Sequence, residues 1–265
     1  MRIQRIGFLR LTAFVTGVFL LLATSTTAQV NMVEFGKNRV QHTKFKWSFY
    51  QSPNFNVHYT LNGLELAKFA TQVAEEELPG IEDFVEFAVQ RRINIVLYNN
   101  FNDFKQSNIG MGLDYPNAGG LTKLVNNKMV VYYNGDHNDL RRQIKQGIAK
   151  VLVETLLFGD DLGEFAQNQA LLDLPKWMTD GYISYVAENW SPKLDNELKS
   201  AMIGAEYKNF YHFAYEQPEL AGHAFWYYIE EKYRKENVTY LLYLSRIYKN
   251  VNRATGTIAK KKLKD

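Results

Sequence analysis

The chain contains no cysteine among its 265 residues, so no disulfide can hold its fold together. Without cysteine it also has no lipobox at which a lipid could be attached, and we therefore expect that it is not a lipoprotein. After residue 28, no run is long and apolar enough to span a membrane. The sequence thus predicts no stable membrane span beyond its first residues.

The five histidines, at positions 42, 58, 137, 212 and 223, include no pair spaced three or four residues apart. A helix therefore cannot offer two imidazoles on one face, which is the common arrangement of a zinc-binding helix. The glycines between residues 110 and 120 follow no phosphate-binding pattern, and no Ser/His/Asp arrangement has supporting context. For each histidine we expect a structural role.

The first 28 residues are typical of a secretory signal peptide. Arg2, Arg5 and Arg10 precede an apolar stretch over 11–23, and small residues lead to a cleavage site after Ala28. An uncleaved membrane anchor is the alternative, although the apolar stretch is short for a bilayer. An exported chain without cysteine fits a bacterial periplasm or outer envelope better than a eukaryotic secretory route.

Removal of this segment changes the charge of the chain. The whole sequence has 31 basic and 28 acidic residues, a net charge of +3. Residues 1–28 contain three arginines and no acid, so 28 residues of each sign remain. Because four of those positive charges are lysines of 260–264, the globular body is slightly acidic, and we expect no nucleic-acid partner.

The pattern of apolar residues predicts an α+β fold, in which a small mixed β-sheet with helices precedes a helical part. Alternation over 92–98 indicates a strand, and an apolar stripe over 138–158 indicates a helix. We divide the chain into a lead-in arm at 29–52, a sheet part at 53–135 and a helical part at 136–250. The lysine-rich tail at 251–265 is expected to be disordered.

Several segments, taken in order, resemble the peptidase MA-like domain, a gluzincin, of exported bacterial envelope proteins that often carry a TolB-like β-propeller. The resemblance extends over most of 33–250, and no single piece is specific. The segments that carry it are Phe35-Gly36-Lys37-Asn38-Arg39-Val40-Gln41, Phe55-Asn56-Val57-His58-Tyr59, Ile93-Asn94-Ile95-Val96-Leu97-Tyr98, Gly119-Gly120-Leu121-Thr122, Leu174-Pro175-Lys176-Trp177 and Phe225-Trp226-Tyr227-Tyr228-Ile229. The resemblance implies a zincin-like fold.

The resemblance also implies where a zinc site would lie. Active members carry His-Glu-x-x-His on one helix, with two zinc ligands and a general base, and a carboxylate ligand on a later helix. The two histidine positions fall on Gln146 and Lys150, the base falls on Gly147, and the third ligand falls on Asp180. Here only Asp180 keeps ligand chemistry, so we expect no catalytic residue, no metal and no cofactor.

The same positions suggest a candidate cleft formed by Lys150, Trp177 and Asp180. An ion pair between Lys150 and Asp180 could replace the lost metal, since these positions converge in the family geometry. The alternative is that Lys150 points to solvent.

The leading hypothesis is a non-catalytic, metallopeptidase-like envelope module with a binding or scaffolding role, and with an envelope protein or peptide as its partner. One alternative is a divergent zinc metallopeptidase with a rebuilt site. Another is a truncated fragment of a larger envelope protein that bears a propeller.

Overall fold

The strands of the sheet come from the first half of the chain. In the computed structural model, residues 44–106, 121–123, 128–159, 174–204 and 207–260 are described. The strands are β1 (Ser48–Gln51), β2 (Phe55–Tyr59), β3 (Ile93–Tyr98), β4 (Leu121–Lys123) and β5 (Lys128–Tyr132). They form one sheet in the order β1-β2-β3-β5-β4. The central pairs β2–β3 and β3–β5 are parallel, and the outer pairs are antiparallel.

The helices follow a similar division between a sheet part and a helical part. Helices α1 (Leu64–Val85), α2 (Phe101–Lys105) and α3 (His137–Phe158) contact the sheet. The remaining described helices are α4 (Lys176–Ala187), α5 (Pro192–Gly204), α6 (Phe210–Glu216), α7 (Pro218–Tyr233), α8 (Glu236–Tyr248) and α9 (Val251–Ala259). The predicted α+β class is confirmed, with a mixed sheet and abundant helix.

The two faces of the sheet bury different clusters, because successive strand residues point to opposite faces. On one face, Ile95 and Leu97 of β3 lie in the main core that α1 and α3 cover. On the other face, Tyr98 of β3 packs with Phe104 of α2 and Tyr132 of β5. The main core continues from α3 into α4 and α7.

Helix α3 forms where the apolar stripe predicted it. Its N-terminus is capped by Asp136, whose side chain accepts a hydrogen bond of 2.8 Å from the amide of Asn138. The stripe residues Leu140, Ile144 and Ile148 are fully buried. At the other end, Gly159 takes a positive φ of 91°, which glycine adopts without steric cost. One face of the helix therefore contacts the sheet and α1, and an adjacent face contacts α4.

The C-terminal tail differs from the sequence expectation. The tail at 251–265 was expected to be disordered, but Val251–Ala259 forms α9. The physical reason is that Asn250 caps the helix and accepts a 2.9 Å hydrogen bond from the amide of Arg253, while Val251 and Ala254 are buried. Residues 261–265 lie outside the described part of the chain.

No helix in the described residues is long and apolar enough to cross a membrane. The predicted signal peptide and most of the lead-in arm lie outside the described residues, and β1 lies in the last part of the arm.

Candidate functional site

The positions singled out by the sequence lie where α3, α4 and the start of α7 meet. Gln146, Lys150 and Glu154 succeed one another at intervals of four residues on α3, so they share one side of that helix. Asp180 lies on α4, the helix that packs against α3. Lys150, Glu154 and Asp180 are close enough to influence one another electrostatically. The structure thus brings the predicted helices together.

Gln146, at the first histidine position of the motif, is a buried connection between two helices. It is only 3% exposed, and its Nε2 donates a hydrogen bond of 3.1 Å to Oε1 of Glu219 in the first turn of α7. Its Oε1 is buried and accepts no hydrogen bond from the described residues. This hydrogen bond connects α3 to α7. As a zinc ligand, an amide oxygen is a poor substitute for imidazole.

Gly147, at the position of the general base, lies against the sheet. A Cβ atom placed on it would lie 2.5 Å from Cε and 2.9 Å from Sδ of Met129, which is fully buried in β5. The thioether of Met129 thus occupies the space into which a side chain at 147 would begin to grow. A glutamate here would require the end of the Met129 side chain to shift.

Lys150 and Asp180 are each paired within their own helix. The Nζ of Lys150 lies 3.9 Å from Oε1 of Glu154, and the Nζ of Lys176 lies 3.9 Å from Oδ2 of Asp180. Among the ion pairs between described residues, the expected contact between Lys150 and Asp180 does not occur. The physical reason is that partners four residues apart on a helix are already neighbours. The side chain of Lys150 is 28% exposed, so it is partly accessible to solvent beside Glu154.

Burial dominates the titration of the two acids. It raises the pKa of Glu154 to about 8, although the positive charge of Lys150 opposes the rise, and the charge of Asp180 adds to it. Burial also raises the pKa of Asp180, against the charges of Lys176 and, more weakly, Lys150. The carboxyl group of Glu154 therefore holds its proton near neutral pH, which makes it a weak metal ligand.

Trp177 is part of the core and does not line a cleft, which corrects the sequence expectation. It is 5% exposed, and its ring meets those of Phe210 and Phe225 edge-on, at centroid distances of 5.0 and 5.1 Å. A large apolar ring in the middle of a helix crossing is buried by the helices on both sides.

Two glycines explain why α4 and α7 approach so closely. A Cβ atom on Gly181 would lie 2.3 Å from the backbone carbon of Gly222, and one on Gly222 would lie 1.8 Å from the carbonyl oxygen of Trp177. Gly181 directly follows Asp180 in the chain. In the structure it permits backbone-to-backbone contact between helices, beside a hydrogen bond of 2.8 Å from Trp226 Nε1 to the carbonyl of Met178.

His223 follows Gly222 and is fully buried. Its Nδ1 lies 3.0 Å from Oγ of Ser184, and burial lowers the pKa of His223 to about 4. Its Nε2 is also buried and makes no hydrogen bond to a described residue. The structural role expected for this histidine fits these contacts.

The chemistry of the site follows from this geometry. Over 44–106, 128–159, 174–204 and 207–260, no three His, Asp or Glu side chains come together as a group that could hold a metal ion. The sequence reasoning missed Glu154 and Glu219. Glu154 could have been found by its spacing of four residues from Lys150, whereas nothing in the sequence links Glu219 to Gln146 across 73 residues.

Comparisons with known proteins do not assign the chain to a family. No model of a known protein family matches it, and no curated protein shows significant similarity to it.

Proposed function

We propose that this chain is a non-catalytic, metallopeptidase-like module of the bacterial cell envelope, with a binding or scaffolding role and an envelope protein or peptide as its partner. One observation carries the proposal. Each of the three replaced motif positions is engaged in a contact of the fold, Gln146 with Glu219, Gly147 with Met129 and Lys150 with Glu154. These contacts, together with the replacement of both imidazoles and of the carboxylate, support a module without the zinc site of active members.

The resemblance to peptidase MA-like domains supports this proposal through the order of its segments. The location in the envelope is supported by the basic and apolar character of residues 1–28. When the full chain is expressed in a bacterium with its own leader, we expect the periplasmic product to begin at Gln29, and mass spectrometry reads that terminus directly. A product that keeps residues 1–28 would contradict the export part of the proposal.

The test of the non-catalytic claim measures metal and activity together. The purified chain is loaded with zinc, passed through a desalting column and analysed for bound metal, and its hydrolysis of a denatured protein substrate is followed with and without a chelator. We expect substoichiometric zinc and no hydrolysis that the chelator abolishes. Stoichiometric zinc together with chelator-sensitive hydrolysis would instead establish the alternative, a divergent zinc metallopeptidase.

A matched variant shows that the metal measurement can respond. The double substitution Gln146→His and Lys150→His places two imidazoles four residues apart on α3, on the side that faces Asp180 of α4. We expect this variant to retain more zinc than the unaltered chain while remaining inactive, because Gly147 still offers no base.

A further inference from the structure

Helix α8 exposes an apolar stripe along one side. Tyr240, Tyr243 and Ile247 are 49%, 44% and 53% exposed, and their spacing of three and four residues places them in one row. The opposite side of the same helix packs into the main core through Val238, Leu241 and Leu242. We call Tyr240, Tyr243 and Ile247 the α8 stripe. It is a single row of side chains along one helix.

Positive charge lies at the C-terminal end of the stripe. Arg246 flanks it on α8, Lys249 ends the helix with a left-handed φ of 50°, and Arg253 lies in the first turn of α9. The guanidinium of Arg253 lies 4.5 Å above the ring of Tyr248, which holds the two helix ends together. We call Arg246, Lys249 and Arg253 the basic corner.

The charge of the basic corner is not neutralised within the described part of the chain. None of its three side chains forms an ion pair with a described residue, whereas Arg141, on α3, contacts both Glu76 and Glu77. The sequence from 237 to 264 contains no Asp or Glu, and Lys260 is followed by three more lysines before residue 265. The nearest acid along α8 is Glu236, at the far end of the stripe.

We propose that the α8 stripe and the basic corner form a docking surface for a lipid bilayer that carries anionic headgroups. Tyrosine is enriched at membrane interfaces because its ring is apolar and its hydroxyl is polar. Basic side chains beside such a row add attraction to an anionic surface, and binding of this kind leaves the helix lying on the membrane without spanning it. A single row flanked by unpaired cations fits a broad surface better than it fits a peptide.

Vesicle flotation with the full exported chain tests this proposal, which does not depend on the metallopeptidase-like interpretation. The vesicles contain phosphatidylcholine alone, or phosphatidylcholine with phosphatidylglycerol as roughly a third of the lipid. We expect the chain to float with the anionic vesicles and not with the zwitterionic ones. Raising the salt concentration should weaken this binding, because salt screens charges at an exposed surface.

Three variants locate the surface, each checked for folding by circular dichroism. Replacing Arg246 and Lys249 by Gln should lower the partition coefficient on anionic vesicles by about fivefold for each charge removed. Replacing Tyr243 and Ile247 by Ser should weaken binding at high salt as well as at low salt. The control replaces Lys193 and Lys199 of α5 by Gln, which removes the same charge from exposed lysines that are paired with Glu197 and Asp195, and should leave binding unchanged.

Other outcomes overturn the proposal. Equal flotation with both kinds of vesicle, or no flotation with either, would exclude an anionic bilayer as the partner. An equal loss of binding in the α5 control would show that only net charge matters. If the chain bound soluble polyglutamate through the basic corner but did not bind the anionic vesicles, the surface would belong to an acidic protein partner.

Discussion

Replacement of Gly222 by Ala should destabilise the protein strongly, because the new methyl group has no space between α4 and α7. Its carbon would lie 1.8 Å from the carbonyl oxygen of Trp177, 2.8 Å from Cα of Gly181 and 2.9 Å from the carbonyl carbon of Trp177. All three atoms belong to the backbone of α4 or its glycine, so no side-chain rotation can relieve the contact. The two helices would have to separate.

The size of the effect follows from that separation. A normal contact between carbon and a carbonyl oxygen spans about 3.3 Å, so the helices must part by about 1.5 Å at this point. Overpacking of this kind costs about 3 kcal/mol. It also strains the hydrogen bond from Trp226 to Met178, worth about 1 kcal/mol. Against this, Ala favours a helix over Gly by about 1 kcal/mol, which leaves a net loss of about 3 kcal/mol.

Urea unfolding followed by tryptophan fluorescence measures this loss in free energy of unfolding. With a slope of about 3 kcal/mol per molar urea, the midpoint should fall by about 1 M. The matched control is Gly80→Ala in α1, where a Cβ atom would meet nothing within 4 Å. That variant should raise the free energy of unfolding by up to about 1 kcal/mol, since it gains helix propensity without a clash. A Gly222→Ala variant as stable as the unaltered protein would refute the close approach of the two helices.

Two further predictions concern the response of stability to pH. Because burial raises the pKa of Glu154 to about 8, this group's contribution to the free energy of unfolding is complete below its unfolded pKa near 4.5 and is lost as the pH rises to 8. The variant Glu154→Gln should therefore show a smaller decline of the urea midpoint over this pH range. Because burial lowers the pKa of His223 to about 4, this group's contribution to the free energy of unfolding is present above pH 6.5, its unfolded pKa, and is lost as the pH falls towards 4. His223→Gln should therefore reduce the loss of thermal stability between pH 6.5 and 4, and an unchanged pH profile in either variant would contradict the burial assigned to that group.

Local patterns accounted for much of the fold before the structure was considered. The stripe of Leu140, Ile144 and Ile148 placed α3 to within a residue of its observed start, because apolar side chains at helical spacing need a core to face. Helix α9 was missed because the lysines that follow it dominated the interpretation of 251–265. The capping residue Asn250 and the buried Val251 were signals of that helix already present in the sequence.

The candidate site was harder to predict, because its contacts join segments that are far apart in the chain. Short-range pairs such as Lys150 with Glu154 follow from helix geometry, and the helical spacing alone could have favoured them over the pairing of Lys150 with Asp180. The hydrogen bond of Gln146 to Glu219 joins α3 to the first turn of α7, and α7 in turn lies close to α4 through the glycines at 181 and 222. Neither segment contains a periodic pattern that indicates its contact with the other.

The packing around Gly147 bears on whether the zinc-binding motif implied by the resemblance could be introduced by substitution. Histidines introduced at 146 and 150 would change side chains on the side of α3 that faces other helices. A glutamate at 147 must instead enter the space held by Met129, whose side chain is fully buried between α3 and the sheet. The end of the Met129 side chain is flexible and can shift at small cost, but burying a carboxylate there without a partner would cost several kcal/mol. A glutamate introduced at 147 would therefore be opposed by the loss of solvation of its charge as well as by the shift that it requires of Met129.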